Sequence, residues 1–228
     1  MIKSFLPQRL RRRAGKMYRN FRFNRAFRRF LKNPRCCSRP DNPLLKELRD
    51  TWGNSQWSAD EPYLAAVIES TLNSTGTVLE CGSGLTTLLA GACAEESGIS
   101  LIAFEHNEKW ADRVRFYLDK YRIRSAAVIS VPLISYEDED FDWYRLPCST
   151  FEESFSLVIC DGPPGGTRGG RYGLVPVIKR YFDTPCRILL DDAERDEERQ
   201  IAERWCRETG AAMCRHGGDN PFFILDCP

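Results

Sequence analysis

Four short apolar runs in this 228-residue sequence each end in a carboxylate. Val78-Leu79 leads into Glu80-Cys81-Gly82-Ser83-Gly84, and the run 101–104 into Glu105-His106-Asn107. The run 157–160 leads into Asp161-Gly162-Pro163-Pro164, and 188–190 into Asp191-Asp192. A carboxylate at a strand exit stands on the edge where an open α/β sheet binds ligands. Two glycines one residue apart, between a strand and a helix, let the backbone approach a ligand and turn helix N–H groups toward it. Glu105 follows Gly84 by 21 residues, the placement of a carboxylate that accepts ribose hydroxyls. The third glycine of a dinucleotide fingerprint is replaced by Thr87. Glu80, two residues before Gly82, suits a ligand with a cationic end better than a pyrophosphate.

The elements that must position these groups follow from period and punctuation. Strand patterns fall at 78–80, 101–105, 126–131, 156–160 and 187–190, and helical patterns at 85–93, 109–121, 174–182 and 194–209. Two last strands, 211–215 and 222–227, are joined by a loop short enough for a hairpin. This alternation predicts an α/β fold: a doubly wound, mostly parallel, seven-stranded Rossmann-like sheet with a C-terminal antiparallel hairpin. Ahead of it come a short helix at 44–49 and a helix begun by Asp60 and Pro62. The loop between them holds Trp52 and Trp57, and reads either as a lid over a ligand or as packing under the sheet. Within the acidic, aromatic insertion 136–144, the segment 138–144 reads either as a wall opposite the site or, in its acidic run, as solvated surface.

The net charge of +1 hides a segregation, because residues 1–40 hold 14 of the 33 basic residues and no acidic one. The remainder has 19 basic against 32 acidic residues, a net charge of −13. We therefore divide the chain into a basic arm and linker, residues 1–43, and an α/β domain, residues 44–228. In the arm, Phe23, Phe27, Phe30 and Leu31 form a helical stripe among arginines. Such a helix suits an anionic membrane surface or a fold back onto the acidic body; nucleic acid ranks below both. No apolar run approaches the roughly 20 residues of a membrane span, and the N-terminus lacks the apolar core of a secretory signal. A cytoplasmic protein, peripheral at the membrane if the arm docks there, is the expectation. Ten cysteines without a C-x-x-C pair, and only His106 and His216, point to reduced thiols rather than zinc. The adjacent Cys36-Cys37 is the exception to test for reactivity.

The string 79–87 (Leu-Glu-Cys-Gly-Ser-Gly-Leu-Thr-Thr), Glu105, the run Asp161-Gly162-Pro163-Pro164, Gly169-Gly170-Arg171-Tyr172-Gly173 and Leu190-Asp191-Asp192-Ala193 together resemble class I S-adenosylmethionine-dependent methyltransferases, in particular a bacterial branch of them. The resemblance runs from about Trp52 to the C-terminus. It implies S-adenosylmethionine as cofactor, held by Glu80, Gly82, Ser83, Gly84, Glu105, His106 and Asp161. The adenine would lie near Val131-Pro132-Leu133, and the methyl group would point toward Asp161. Methyl transfer to oxygen of a small-molecule or glycan-like acceptor is the implied reaction, with Asp161, Arg171 and Tyr172 as candidate catalytic residues. The loop 165–173, with five glycines, could close over the acceptor, its arginines gripping a phosphate or carboxylate. Similarity to catechol-type enzymes adds Asp161, Asp191 and Asp192 as a candidate Mg²⁺ set, although the lysine expected three residues after the first aspartate is Pro164. The alternative is that one of the pair caps a helix while Asp161 touches the cofactor. Asp161-Gly162-Pro163-Pro164 departs from the amino-methyltransferase motif, which disfavours transfer to a base nitrogen. An aminopropyl transferase, or a non-catalytic cofactor-binding scaffold docked through its arm, are the other readings.

Overall fold

Strand β1 (Thr77–Cys81) is buried at every position and β6 (Phe155–Cys160) at all but one, as expected where both faces of a parallel sheet are covered. The structure, a computed structural model, describes residues 8–54, 59–136, 140–146, 151 and 154–228. Around β1 lie β2 (Leu101–Glu105), β3 (Ala126–Ser130), β7 (Phe182–Leu190), β8 (Ala212–His216) and β9 (Phe222–Cys227). The seven strands run in the order β3-β2-β1-β6-β7-β9-β8. All neighbours pair in parallel except β9, which is antiparallel to both β7 and β8. The chain steps outward from β1 to β3 and then returns to β6 on the other side of β1. That reversal opens a crevice at the carboxyl ends of β1 and β6.

Period-two alternation sorts the strand residues between two cores. Val78, Leu157, Ile159 and Leu189 face helices α3 (Glu61–Asn73), α4 (Leu85–Ser97) and α5 (Glu108–Tyr121). Leu79, Cys81, Val158, Cys160, Ile188 and Leu190 face α6 (Leu174–Ile178) and α7 (Asp196–Thr209). Helix starts are chemically marked: Asn107 accepts a hydrogen bond from Trp110 N at 3.2 Å, and Thr87 accepts one from Gly84 N at 2.8 Å. Helix α4 ends at Gly98, whose φ of +69° is left-handed.

Two segments differ from their sequence reading. In the acidic, aromatic segment, β4 (Leu133–Tyr136) pairs antiparallel with β5 (Phe141–Tyr144), and Phe141, Trp143 and Tyr144 are buried while Asp140 is exposed. The alternation of that segment was masked by its acidic residues, of which Asp140 and Asp142 pair with Arg168. The helix expected over 174–182 shortens to α6 and a 3-10 turn, Lys179–Tyr181, because β7 begins as early as Phe182.

The basic arm forms α1 (Gln8–Phe30). Its stripe of Phe23, Ala26, Phe27 and Phe30 is buried against the body. Phe23 meets Trp52 and Tyr117, Phe27 meets Tyr121, and Asn24 accepts hydrogen bonds from Lys120 and Tyr121, each at 2.6 Å. Glu47 of α2 (Pro43–Trp52) pairs with Arg22 and Arg29. The fold-back reading therefore accounts for this stripe. Trp52, of the proposed aromatic lid, is core; Trp57 lies outside the described residues. Cys36 and Cys37 have their sulfurs 3.7 Å apart, and burial pushes the Cys37 thiol up to about 12, which disfavours its thiolate. No described helix is long and apolar enough to cross a membrane.

Candidate functional site

The turn after β1 is built around Glu105. Its Oε2 accepts from Ser83 N at 3.0 Å and Ser83 Oγ at 2.9 Å, and its Oε1 from Asn107 N at 2.8 Å. His106 Nδ1 lies 3.2 Å from the same Oε1. Trp110 Nε1 secures the turn from α5 by donating to Ser83 O at 2.6 Å. Burial of Glu105 disfavours its charge, but the donors His106, Asn107 and Ser83 outweigh that and hold the carboxyl below its ordinary value. Gly82 is obligatory here: its φ is +86°, and a Cβ would stand 3.1 Å from Gly162 N. Gly84 is open, with nothing near its absent Cβ.

Glu80 has a different place from the one expected. It is fully buried beneath the turn and accepts from Thr86 Oγ1 in the first turn of α4, so it ties strand to helix instead of facing a ligand. Burial raises its carboxyl to about 8, and Oε2 has no partner among the described residues.

The opposite wall is a knot of carboxylates around one guanidinium. Arg171, 2% exposed, donates Nη1 to Asp191 O at 2.8 Å, and Nη2 to Asp161 O at 3.1 Å and to Asp192 Oδ2 at 2.6 Å. Asp161 Oδ1 lies 3.2 Å from the same Nη2, and Glu198 of α7 stands 3.6 Å from Nε. The adjacent carboxylates hold the Arg171 guanidinium charged despite its burial. Burial raises Asp161 to about 7, against the opposing pull of Arg171, and it also raises Asp191. Arg171 is a buried counterion of these carboxylates that also lines the cavity beside them. Two roles expected from sequence are corrected here. Tyr172 points away from the crevice, donating its hydroxyl to Glu208 at 3.0 Å beneath Arg204. The Mg²⁺ set does not form: the guanidinium occupies the space between Asp161 and Asp192, and no described cluster of three ligands suits a metal. Nor does the aspartate pair cap α7, whose N-cap is Arg195.

The turn and the knot face each other across a cavity of about 720 Å³. Ser83, Gly84, Glu105, His106 and Asn107 line one side, and Asp161, Gly162, Asp191 and Asp192 the other. Helices α2 and α3 contribute Arg49, Trp52 and Asp60 to its rim. Tyr144, the last residue of the segment read as a wall opposite the site, borders the cavity from β5. Its hydroxyl is buried without a hydrogen-bond partner among the described residues, and a Cβ on Gly162 would stand 2.6 Å from it.

No family model matches the chain, and no curated protein matches it in sequence. Solved structures do share the fold. A putative caffeoyl-CoA O-methyltransferase from Staphylococcus aureus matches at 11% identity with a TM-score of 0.60, over 82% of this chain and 93% of that one. An SAH-bound methyltransferase of Podospora anserina matches at 13% identity with a TM-score of 0.58, over the full length of both. An O-methyltransferase from Bacillus cereus in complex with SAH matches at 13% identity with a TM-score of 0.55, over 83% and 92%. At these identities the shared property is the architecture, a Rossmann-like methyltransferase fold.

Proposed function

We propose that this protein transfers a methyl group from S-adenosylmethionine to a hydroxyl of a small-molecule or glycan-like acceptor. The observation that carries the reading is the pairing of Glu105 and Asp161 across one cavity, at the switch point of a methyltransferase-type sheet. The donor fits the residues present. Gly84 leaves open backbone, Glu105 stays ionised, and the buried Tyr144 hydroxyl lacks a partner among the described residues.

An ionised carboxylate offers about four acceptor sites, and at Glu105 four are filled by Ser83 N, Ser83 Oγ, Asn107 N and His106. Ribose hydroxyls would therefore displace the two side-chain donors, Ser83 Oγ and His106, while the backbone donors keep the turn in place. S-adenosylmethionine supplies an already activated methyl group, so the chain's task is chiefly to align acceptor and donor and exclude water. Asp161 is one-quarter exposed on its side chain, and its raised value near 7 suits it to take up the acceptor's proton. Arg171 and Asp192 fix that carboxyl in place. Mg²⁺ has no part in this scheme, because its expected ligands already hold Arg171. No feature of the described residues favours the aminopropyl-transfer or scaffold readings.

Calorimetry with S-adenosylhomocysteine tests the donor site. Glu105→Gln should bind at least about tenfold more weakly, the loss of one charge-assisted contact. Equal affinity in the variant, or no binding by the native chain, removes the reading. A screen of hydroxyl-bearing metabolites with methyl-labelled donor then addresses the acceptor.

A further inference from the structure

Helix α1 carries two apolar stripes, and the body covers one of them. Phe23, Ala26, Phe27 and Phe30 follow i, i+3, i+4, i+7 and are buried. Ala14, Met17, Tyr18 and Phe21 repeat the same spacing one segment earlier, yet Met17, Tyr18 and Phe21 are 73%, 66% and 63% exposed. Phe21 and Phe23 are two positions apart, roughly 200° around a helix that turns about 100° per residue. The stripes therefore face opposite ways, and the body that buries the second leaves the first bare. Nine basic residues and no acidic one lie between Arg11 and Arg29. Arg25 and Arg28, both exposed, continue the line of Phe21 at i+4 and i+7.

We infer that this face of α1 docks the protein on an anionic phospholipid bilayer. Three exposed apolar side chains on a helix with basic and no acidic residues match both parts of such a surface: the side chains enter the headgroup–acyl boundary and the unpaired arginines stay at the phosphates. A nucleic acid would need the charges but gives no reason for bare Met17 and Phe21. Pairing of α1 with α1 of a second copy would bring two cationic helices together. Because the buried stripe fixes α1 to the body, docking would hold the α/β domain at the membrane rather than on a loose tether.

Co-sedimentation of the full chain with vesicles tests this. Binding to phosphatidylcholine vesicles containing about 30% phosphatidylserine should be at least about tenfold tighter than to phosphatidylcholine alone, and should weaken with salt. The triple change Met17→Gln, Tyr18→Gln, Phe21→Gln should weaken it about tenfold without moving the thermal midpoint, since all three side chains are exposed. A second triple change, Arg12→Gln, Arg13→Gln, Lys16→Gln, reads the charge contribution separately and should also weaken binding. Equal binding to both vesicle types, or undiminished binding by the apolar triple variant, overturns the proposal. So does native protein that ignores vesicles but self-associates through these residues, or that prefers RNA to vesicles whether or not they are changed.

Discussion

Replacing Arg171 with methionine removes the buried cation among Asp161, Asp192 and Glu198, leaving the half-exposed Arg195 on Asp192, while keeping a side chain of comparable length. Arg171 is 2% exposed, and its contacts run from 2.6 Å at Asp192 to 3.6 Å at Glu198. Removing one partner from a buried ion network costs about 3–5 kcal/mol, because the charges left behind are uncompensated. At about 2–4 °C per kcal/mol for a chain of this size, the thermal midpoint should fall on the order of 10 °C. The loss should also depend on pH. Asp161 has a folded value near 7, above its ordinary 3.8, so its contribution to stability is full below 3.8 and is lost as pH rises through 7. Arg171 opposes that rise, so without it Asp161 titrates higher still, and the gap between native and variant must widen from pH 5 to pH 8. Urea unfolding followed by tryptophan fluorescence at both pH values measures the gap directly. A gap under about 1 kcal/mol, well short of the cost of a broken buried pair, would refute the counterion assignment. A gap of equal size at both pH values would refute the titration argument. A variant as stable as the native chain but unable to turn over would return Arg171 to the acceptor site.

Further outcomes follow from the same geometry. Tyr144→Phe removes a buried hydroxyl that has no partner among the described residues, so the unliganded protein should keep its midpoint or gain up to about 1 kcal/mol, while S-adenosylhomocysteine binds several-fold more weakly; a destabilised apo variant with unchanged affinity contradicts this. Gly82→Ala forces a side chain to φ +86°, at about 1–2 kcal/mol, and presses it on the Gly162 backbone, so calorimetry should show lost cofactor binding. If methyl transfer is detected, EDTA should leave its rate unchanged, and loss of turnover restored by Mg²⁺ would reinstate the metal set at Asp161, Asp191 and Asp192.

What was legible in the sequence is what short-range pattern controls. Short continuous apolar runs ending in Glu80, Glu105, Asp161 and Asp191 marked the strand ends to within a residue or so. The Gly82-Ser83-Gly84 turn and the C-terminal hairpin were visible because backbone geometry demands particular residue types there. The pair β4–β5 was obscured, since acidic residues in a short strand look like surface until a partner such as Arg168 arrives from 26 residues away.

Side-chain roles divided along the same line. Which residues stand at the carboxyl edge of the sheet is determined by the sequence alone, because each strand's exit is a local event. Whether such a residue faces the cavity or the core is decided by what the fold lays over it. Glu80 and Arg171 are charged residues in motifs that resemble ligand contacts, yet Thr86 claims the first, and three carboxylates claim the second. Phe21 and Phe23 show the same division two residues apart: the helix sets them on opposite faces, and only the docked body determines that one is buried and the other left bare. The physical reason is that burial and charge compensation are properties of long-range contacts, which composition and spacing along the chain do not specify.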